Sequence, residues 1–269
     1  MLMALIPQER PRTKRHARVW LVPLATLVAV GVNVFAAVEG AQAEQDRAPT
    51  LVDPADYAFS IWGLIFLANV VFAVYQAMPQ QRGDAVLDRV AAPYLLGQVF
   101  ATLFAVATLV DSHVLGQAST VAYFAVAVAT YVILGVGMRE DGWARWLCAW
   151  LPASMSAAWL LAASIVVLAD VLQNDLDVSP PVGDGAAWAA FAVGLAALVA
   201  VVLLIRRRDF VFAAVVAWAL VGIGREQADE VVDVAIIASL TVLGLVALGV
   251  VPRVTGAMPW RRERHAGVH

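Results

Sequence analysis

The charged residues of this chain are clustered, and they leave stretches of about 20 residues that contain no Asp, Glu, Lys or Arg, long enough for a helix to cross a bilayer. Hydrophobic residues make up 62% of the 269 residues and charged residues 14%, whereas a soluble domain is nearer half and a quarter. The apolar runs are continuous and do not alternate with a period of two, which disfavours a β-barrel. The sequence therefore predicts an all-α fold, a polytopic helical membrane bundle.

Eight transmembrane helices are predicted, and the seventh is short for a crossing. They cover approximately residues 18–38, 57–77, 90–110, 114–138, 147–169, 186–205, 209–224 and 231–251. Of the 18 Lys and Arg residues, 16 fall in the two terminal segments and the connections on one side, and only Arg47 and Arg225 fall on the other. By the positive-inside rule both termini are cytoplasmic. We expect a multi-pass protein of the plasma (inner) membrane.

The first span has an alternative interpretation. It has a basic start and ends on small residues at Ala41 to Ala43, as a cleaved signal peptide does. Its apolar stretch is about 20 residues, longer than the roughly 7 to 15 residues typical of a signal peptide. We therefore expect the first helix to remain in the mature protein.

The start of the second helix has the residues of a helix N-terminus. Asp53 is a preferred N-cap residue, and Pro54 suits the first helical position. The carboxylate of Asp56 is favourable near the positive end of the helix dipole. We expect this helix to begin here, capped by the Asp53 side chain.

The composition excludes several kinds of site within the spans. Every charged residue falls at a span end or in a connection, which argues against a proton relay or an ion path, because these need charges inside the membrane. The single lysine, Lys14, lies in the N-terminal tail, so a buried retinal Schiff base is excluded. The single cysteine, Cys148, cannot form a disulfide within the chain. No metal site, catalytic residue or nucleic-acid partner is predicted.

Neutral polar and aromatic residues mark the helix faces that should point inward. Helical periodicity places Asn69 on the same face as three aromatic residues of the second helix, Phe59, Trp62 and Phe66. The amide of Asn69 would be unpaired in lipid, so this face should be buried. The corresponding residues of the first, third and fifth helices are Asn33, Gln98, Pro152 and Trp159. These faces indicate either ordinary core packing or an aromatic-lined pocket.

Two tryptophans, Trp159 and Trp218, fall near the middle of the predicted membrane. A buried indole N–H usually has a hydrogen-bond acceptor. The expected acceptors are the side chains of Asn33, Asn69 and Gln98, or a ligand.

Four parts of the chain resemble one family of membrane proteins. The run PADYAFSIWGLIF, residues 54–66, is similar to the P-x-x-Y-x-F-S-I-W-G-L-I-Y signature of bacterial tryptophan-rich sensory proteins. These are the longer relatives of TspO, in the translocator protein or peripheral benzodiazepine receptor family. LPASMSAAW at 151–159 and WALVGI at 218–223 resemble two further family segments, and Asn33 falls where the family carries an asparagine.

This resemblance implies a five-helix bundle that encloses a ligand pocket, with the segment 39–56 as its lid. It divides the chain into a basic cytoplasmic tail (1–17), a TspO-like five-helix bundle (18–170), three additional helices (171–252) and a second basic tail (253–269). Porphyrins, haem and sterol-like molecules are the ligand classes it implies. The ligand-binding residues are then expected to be Asn33, Pro54, Tyr57, Phe59, Trp62, Phe66, Asn69, Gln98, Pro152 and Trp159.

Three functions remain open. The leading hypothesis is a sensor or regulator that binds a hydrophobic small molecule, porphyrin/haem- or sterol-like, in an aromatic-lined pocket inside the membrane. The first alternative is a transporter that moves lipophilic compounds between the leaflets. Catalysis on a bound tetrapyrrole is least favoured, because the spans offer no catalytic acid, base or metal site. The lipid bilayer is the expected partner, and small-residue faces on the third to fifth helices would allow a homodimer.

Overall fold

The computed structural model describes residues 12–40, 48–137, 142–176, 185–227 and 229–256. In these segments the chain is helical and contains no strand. The long helices, in chain order, are α1 (Arg12–Gly40), α2 (Ile61–Ala77), α3 (Ala85–Leu109), α4 (His113–Leu134), α5 (Trp143–Asp175), α6 (Gly185–Arg207), α7 (Phe210–Glu226) and α8 (Glu230–Gly256). Within α5, the segments Trp146–Trp150 and Val171–Asp175 are π-helical.

Seven of these helices are long and apolar enough to cross a membrane. The exception is α7, which has 17 residues and is therefore about 25 Å long, somewhat less than the hydrocarbon thickness of a bilayer. The prediction of a polytopic helical membrane protein is confirmed.

The first five helices pack as a closed ring. α1 contacts α2 and α3, α3 contacts α4, α4 contacts α5, and α5 closes the ring against α2. The order around the ring is therefore α1, α2, α5, α4, α3. The last three helices contact one another and form a second group, which joins the ring where α7 packs on α5.

Small residues let the helices approach closely in both groups. A Cβ atom on Gly97 of α3 would lie 3.0 Å from the ring of Tyr123 on α4. Along α6, buried alanines recur at spacings of three and four residues and leave room for α7 and α8: Ala189, Ala192, Ala196 and Ala200. Close packing of this kind holds helices together in lipid, because the hydrophobic effect does not drive one helix against another there.

Ion pairs gather several helix ends at one end of the ring, which we call the arginine end. Arg18 of α1 donates a hydrogen bond to the carbonyl oxygen of Gln81 at 3.0 Å, and its guanidinium lies 3.3 Å from the carboxylate of Asp88. Arg145 of α5 pairs with Asp84, the N-cap residue of α3. The starts of α1, α3 and α5 therefore lie together with the end of α2, as helices that alternate in direction require.

The start of α2 lies at the opposite end and differs from the prediction. A turn of 3-10 helix, Asp56–Ser60, precedes α2, and no side chain caps this turn. The prediction that Asp53 caps the helix is wrong. Its carboxylate instead accepts hydrogen bonds from the backbone N–H of Thr50 at 2.7 Å and from the Thr50 hydroxyl at 2.8 Å. Asp53 thus closes a local turn just before the helix.

Candidate functional site

Four aromatic side chains from α2, its preceding turn and α5 pack against one another. The ring centroids of Phe59 and Trp62 lie 5.9 and 6.3 Å from that of Trp159, both in edge-to-face arrangements. Trp62 also stacks on Phe66 at 5.5 Å. Aromatic pairs of this geometry contribute about 0.5–1.5 kcal/mol each beyond the area that they bury. We call Phe59, Trp62, Phe66 and Trp159 the aromatic cluster.

The indole of Trp159 is the most buried part of this cluster. Its side chain is 2% exposed, and its Nε1 has no hydrogen-bond acceptor among the residues that the structure describes. Buried polar groups in proteins are nearly always paired, and the indole N–H groups of Trp150 and Trp188 also lack a partner in the described segments. A void of about 10 Å³ adjoins the cluster, between Asn33 and Trp62. The aromatic cluster is therefore closely packed, without an open space of ligand size.

A second cavity lies in the half of the ring nearer the arginine end. Asn69, Gln98 and Pro152 line it, together with Tyr123 and Ser156. Its volume is about 20 Å³, which is room for one or two waters. The Asn69 side chain is 3% exposed, and its Nδ2 has no partner within the described part of the chain. Three of the predicted site residues therefore lie apart from the aromatic cluster.

Asn33 fastens α1 to α3. Its Nδ2 donates hydrogen bonds to the carbonyl oxygens of Ala29 at 2.8 Å and Ala101 at 2.9 Å. The expectation that Asn33, Asn69 or Gln98 accepts a hydrogen bond from an indole is wrong for the residues that the structure describes, because no such bond is present. The amide of Asn33 is already bonded to backbone oxygens.

The start of α2 contacts α7 through its backbone. The indole Nε1 of Trp218 donates a hydrogen bond to the carbonyl oxygen of Ala58 at 3.0 Å. The backbone N–H of Ala55 donates to the carbonyl oxygen of Gly222 at 3.0 Å. Tyr57 meets the Trp218 ring edge-on at 5.5 Å. Two hydrogen bonds and one aromatic pair thus join the ring to the additional helices.

Gly222 of α7 and Gln227, the residue after α7, hold the segment before α2. A Cβ atom on Gly222 would lie 2.8 Å from the Cβ of Ala58 and 3.2 Å from that of Pro54, so glycine is needed for this approach. The Gln227 amide donates to the carbonyl oxygens of Thr50 and Asp53, each at 3.1 Å. Of the predicted lid, 39–56, the part from residue 48 is therefore bonded to α7 and to Gln227. Residues 39 and 40 end α1, and residues 41–47 lie outside the described residues.

A larger open space than these two cavities lies outside the ring, between α2 and α7. It has a volume of about 500 Å³. α5 forms its floor through Trp146 and Met155, and the rest of its lining comes from the two walls: Ser60, Ile61, Leu64, Phe210, Val211, Ala214, Val215 and Trp218. We call this space the α2–α7 groove. Its lining is apolar except for the Ser60 hydroxyl and the indole N–H groups.

A family model described as TSPO-like protein matches residues 19–251, which include the aromatic cluster and the contact between α2 and α7. The chain belongs to the TSPO-like family. Comparison with curated proteins and with solved structures finds no match. Because the match extends from the start of α1 into α8, the three additional helices lie within the family's region.

The structure of this TSPO-like protein distributes the ten predicted site residues over three places. Phe59, Trp62, Phe66 and Trp159 form the aromatic cluster. Pro54 and Tyr57 contact α7. Asn33, Asn69, Gln98 and Pro152 lie in the interior of the ring beside its two small cavities.

A buried aspartate of this TSPO-like protein was not predicted as a site residue. Asp209 is 6% exposed, and its carboxylate accepts hydrogen bonds from the hydroxyls of Tyr131 at 2.8 Å and Ser154 at 2.7 Å. It also caps α7 by accepting from the backbone N–H of Phe212 at 2.9 Å. Asp209 therefore joins α4, α5 and α7 at the arginine end. An aspartate just before an apolar helix is a recognisable N-cap signal, but nothing in the sequence indicates its two hydroxyl partners.

Proposed function

We propose that this protein is a membrane sensor or regulator, not an enzyme, that binds a hydrophobic small molecule of porphyrin, haem or sterol-like type at the aromatic cluster. The observation that carries this proposal is the indole of Trp159, which is buried between the rings of Phe59 and Trp62 with its N–H unpaired. A buried donor without an acceptor costs about 1–3 kcal/mol. A flat ligand that stacks on these rings and offers an oxygen or nitrogen atom to Trp159 would remove that cost.

Phe59 is the residue that opens the site in this proposal. It is 46% exposed and belongs to the 3-10 turn, so its side chain is held less firmly than the buried rings. Rotation of Phe59 away from Trp159 would uncover the indole. The ligand then takes the place of the Phe59 ring against Trp159.

We further propose that all eight helices cross the plasma (inner) membrane and that both termini are cytoplasmic. α7 begins at the arginine end, where Asp209 bonds to α4 and α5, and ends where Gln227 bonds to the segment before α2 at the opposite end. It therefore traverses the bundle although it has only 17 residues. The excess of arginine at its starting end supports a cytoplasmic location for that end.

Ligand titrations in detergent test the binding proposal. Protoporphyrin IX, haem and a sterol are added separately to the wild type and to Trp62→Ala, and tryptophan quenching and ligand absorbance are recorded. At least one ligand should bind saturably to the wild type, with an affinity about tenfold lower in Trp62→Ala, equivalent to about 1.4 kcal/mol.

Trp143→Ala is the matched control, because Trp143 is 72% exposed and packs on Trp146 away from the cluster. This variant should bind like the wild type. An equal loss in both variants, or no loss in Trp62→Ala, would remove the aromatic cluster as the binding site.

A further inference from the structure

The α2–α7 groove opens toward the surface that faces lipid. α2 and α7 meet at the 3-10 turn, where Gly222 contacts Ala58, and the groove separates them toward the arginine end. Leu64 on one wall is 60% exposed, and Ala214 on the other wall is also exposed. The bilayer is therefore the medium from which an occupant enters.

The position of the groove matches one leaflet of the bilayer. Its lining residues on α7 run from Phe210 at the arginine end to Trp218, a length of about 12 Å along the helix. One leaflet contributes about 15 Å of hydrocarbon. The groove thus extends along most of one leaflet, which is the space that an acyl chain occupies.

A free positive charge lies at the end of the groove where a lipid headgroup would be. Arg208 is exposed and stands two residues before Phe210, the lining residue of α7 that is nearest the arginine end. None of the ion pairs within the described part of the chain includes Arg208. The neighbouring Arg207 is turned inward, because its guanidinium lies 5.3 Å from the Tyr131 ring centre and donates to the carbonyl oxygen of Val136. The carboxylate of Asp209 already accepts hydrogen bonds from three donor groups, the hydroxyls of Tyr131 and Ser154 and the backbone N–H of Phe212. Arg208 is thus available to an anion.

We propose that the α2–α7 groove binds one acyl chain of an anionic phospholipid whose phosphate group lies against Arg208. The apolar walls accommodate the chain, and the arginine selects the charge of the headgroup. Clusters of basic residues at the cytoplasmic ends of membrane helices recognise anionic lipids in this way. The site is separate from the aromatic cluster and does not depend on the function proposed for it.

Native mass spectrometry of the protein from detergent tests this site. Equal amounts of phosphatidylglycerol and phosphatidylcholine are added, and the lipids retained on the protein are counted. The wild type should retain one phosphatidylglycerol about fivefold more often than phosphatidylcholine. Ala214→Phe places a phenyl ring across the groove and should lower the retention of this lipid. Arg208→Gln should lower the retention of phosphatidylglycerol to that of phosphatidylcholine. Excess inorganic phosphate should not displace the lipid, because the chain supplies most of the affinity.

Matched variants outside the groove control for changes in the lipid that surrounds the whole protein. Ala238→Phe places the same bulk on an exposed position of α8, and Arg82→Gln removes an exposed arginine from the connection between α2 and α3. Both should retain lipid like the wild type. If Ala214→Phe does not fold, Leu64→Phe fills the groove from its other wall. Equal retention in all variants, equal loss in the controls, or displacement by phosphate would overturn the proposal.

Discussion

The indole N–H of Trp218 donates a hydrogen bond to the carbonyl oxygen of Ala58 at 3.0 Å, across 160 positions of sequence. This bond joins two of the segments of the chain that resemble the family, residues 54–66 and 218–223. In the structure they are the two sides of one contact, since Gly222 of the second segment also packs on Pro54 of the first. In this chain the two segments therefore form a connection between the ring and the additional helices.

Replacing Trp218 by phenylalanine tests how much this hydrogen bond contributes to the stability of the fold. Trp218→Phe keeps an aromatic ring beside Tyr57 but removes the N–H donor to Ala58. The loss of one hydrogen bond should lower the free energy of unfolding by about 1 kcal/mol, seen as a lower midpoint of thermal unfolding in detergent. Trp143→Phe, at an exposed tryptophan, should leave the midpoint unchanged. Equal midpoints in the two variants would mean that the bond adds no stability.

Adding one methyl group at Gly222 should separate α7 from the start of α2. The new Cβ of Gly222→Ala would lie 2.8 Å from that of Ala58, so the backbones must move apart. Overpacking of this kind costs about 1–3 kcal/mol. Gly194→Ala on α6 is the control, because its Cβ would meet nothing within 4 Å. The midpoint of thermal unfolding should fall in Gly222→Ala and not in Gly194→Ala. An equal fall of the midpoint in both variants would contradict the explanation.

Two helix N-cap aspartates differ in their surroundings and should differ in their effect on stability. Asp209→Ala removes the cap of α7 and leaves the hydroxyls of Tyr131 and Ser154 without their acceptor. We expect the free energy of unfolding to fall by about 3 kcal/mol, the sum of the lost N-cap bond and the cost of leaving buried hydroxyls unpaired. Asp229→Ala removes the cap of α8, where Asp229 accepts only from the backbone N–H groups of Val231 and Val232. That variant should lose about 1 kcal/mol, and the comparison is made by thermal unfolding.

Reporter fusions test whether α7 crosses the membrane. With eight crossings and a cytoplasmic N-terminus, residue 227 lies outside the cytoplasm and the C-terminus inside. Alkaline phosphatase fused after Gln227 should be active, and green fluorescent protein fused at the C-terminus should fluoresce. An inactive phosphatase after Gln227 together with an active phosphatase at the C-terminus would mean that α7 does not cross.

Much of the fold follows from the apolar pattern. The second span, predicted at 57–77, is observed as the 3-10 turn Asp56–Ser60 followed by α2, Ile61–Ala77. The turn was missed because Asp53 looks like an N-cap in sequence but bonds to Thr50 in the structure. The order of the helices around the ring could not be predicted from the sequence. It depends on contacts such as that of Gly97 with Tyr123, which no local pattern reveals.

Part of the candidate site could be predicted from the sequence. Helical periodicity placed Trp62 and Phe66 on one face of α2, and the structure brings Trp62 to Trp159. The partner of Trp218 was unpredictable because a backbone carbonyl carries no sequence signal. The hydroxyl partners of Asp209 come from two distant helices, and a single sequence does not show which helices are neighbours.

Nitrogen NMR of the tryptophan indoles tests most directly whether the aromatic cluster binds a ligand. The protein is labelled with ¹⁵N at its indole nitrogens, and the Trp159 resonance is assigned by its absence in Trp159→Phe. Protoporphyrin IX, haem and a sterol are then added in turn to the wild type. For a ligand that binds, the Trp159 N–H should shift as it gains an acceptor, while the Trp143 resonance stays in place. A ligand that binds saturably and leaves the Trp159 resonance unmoved would contradict the account.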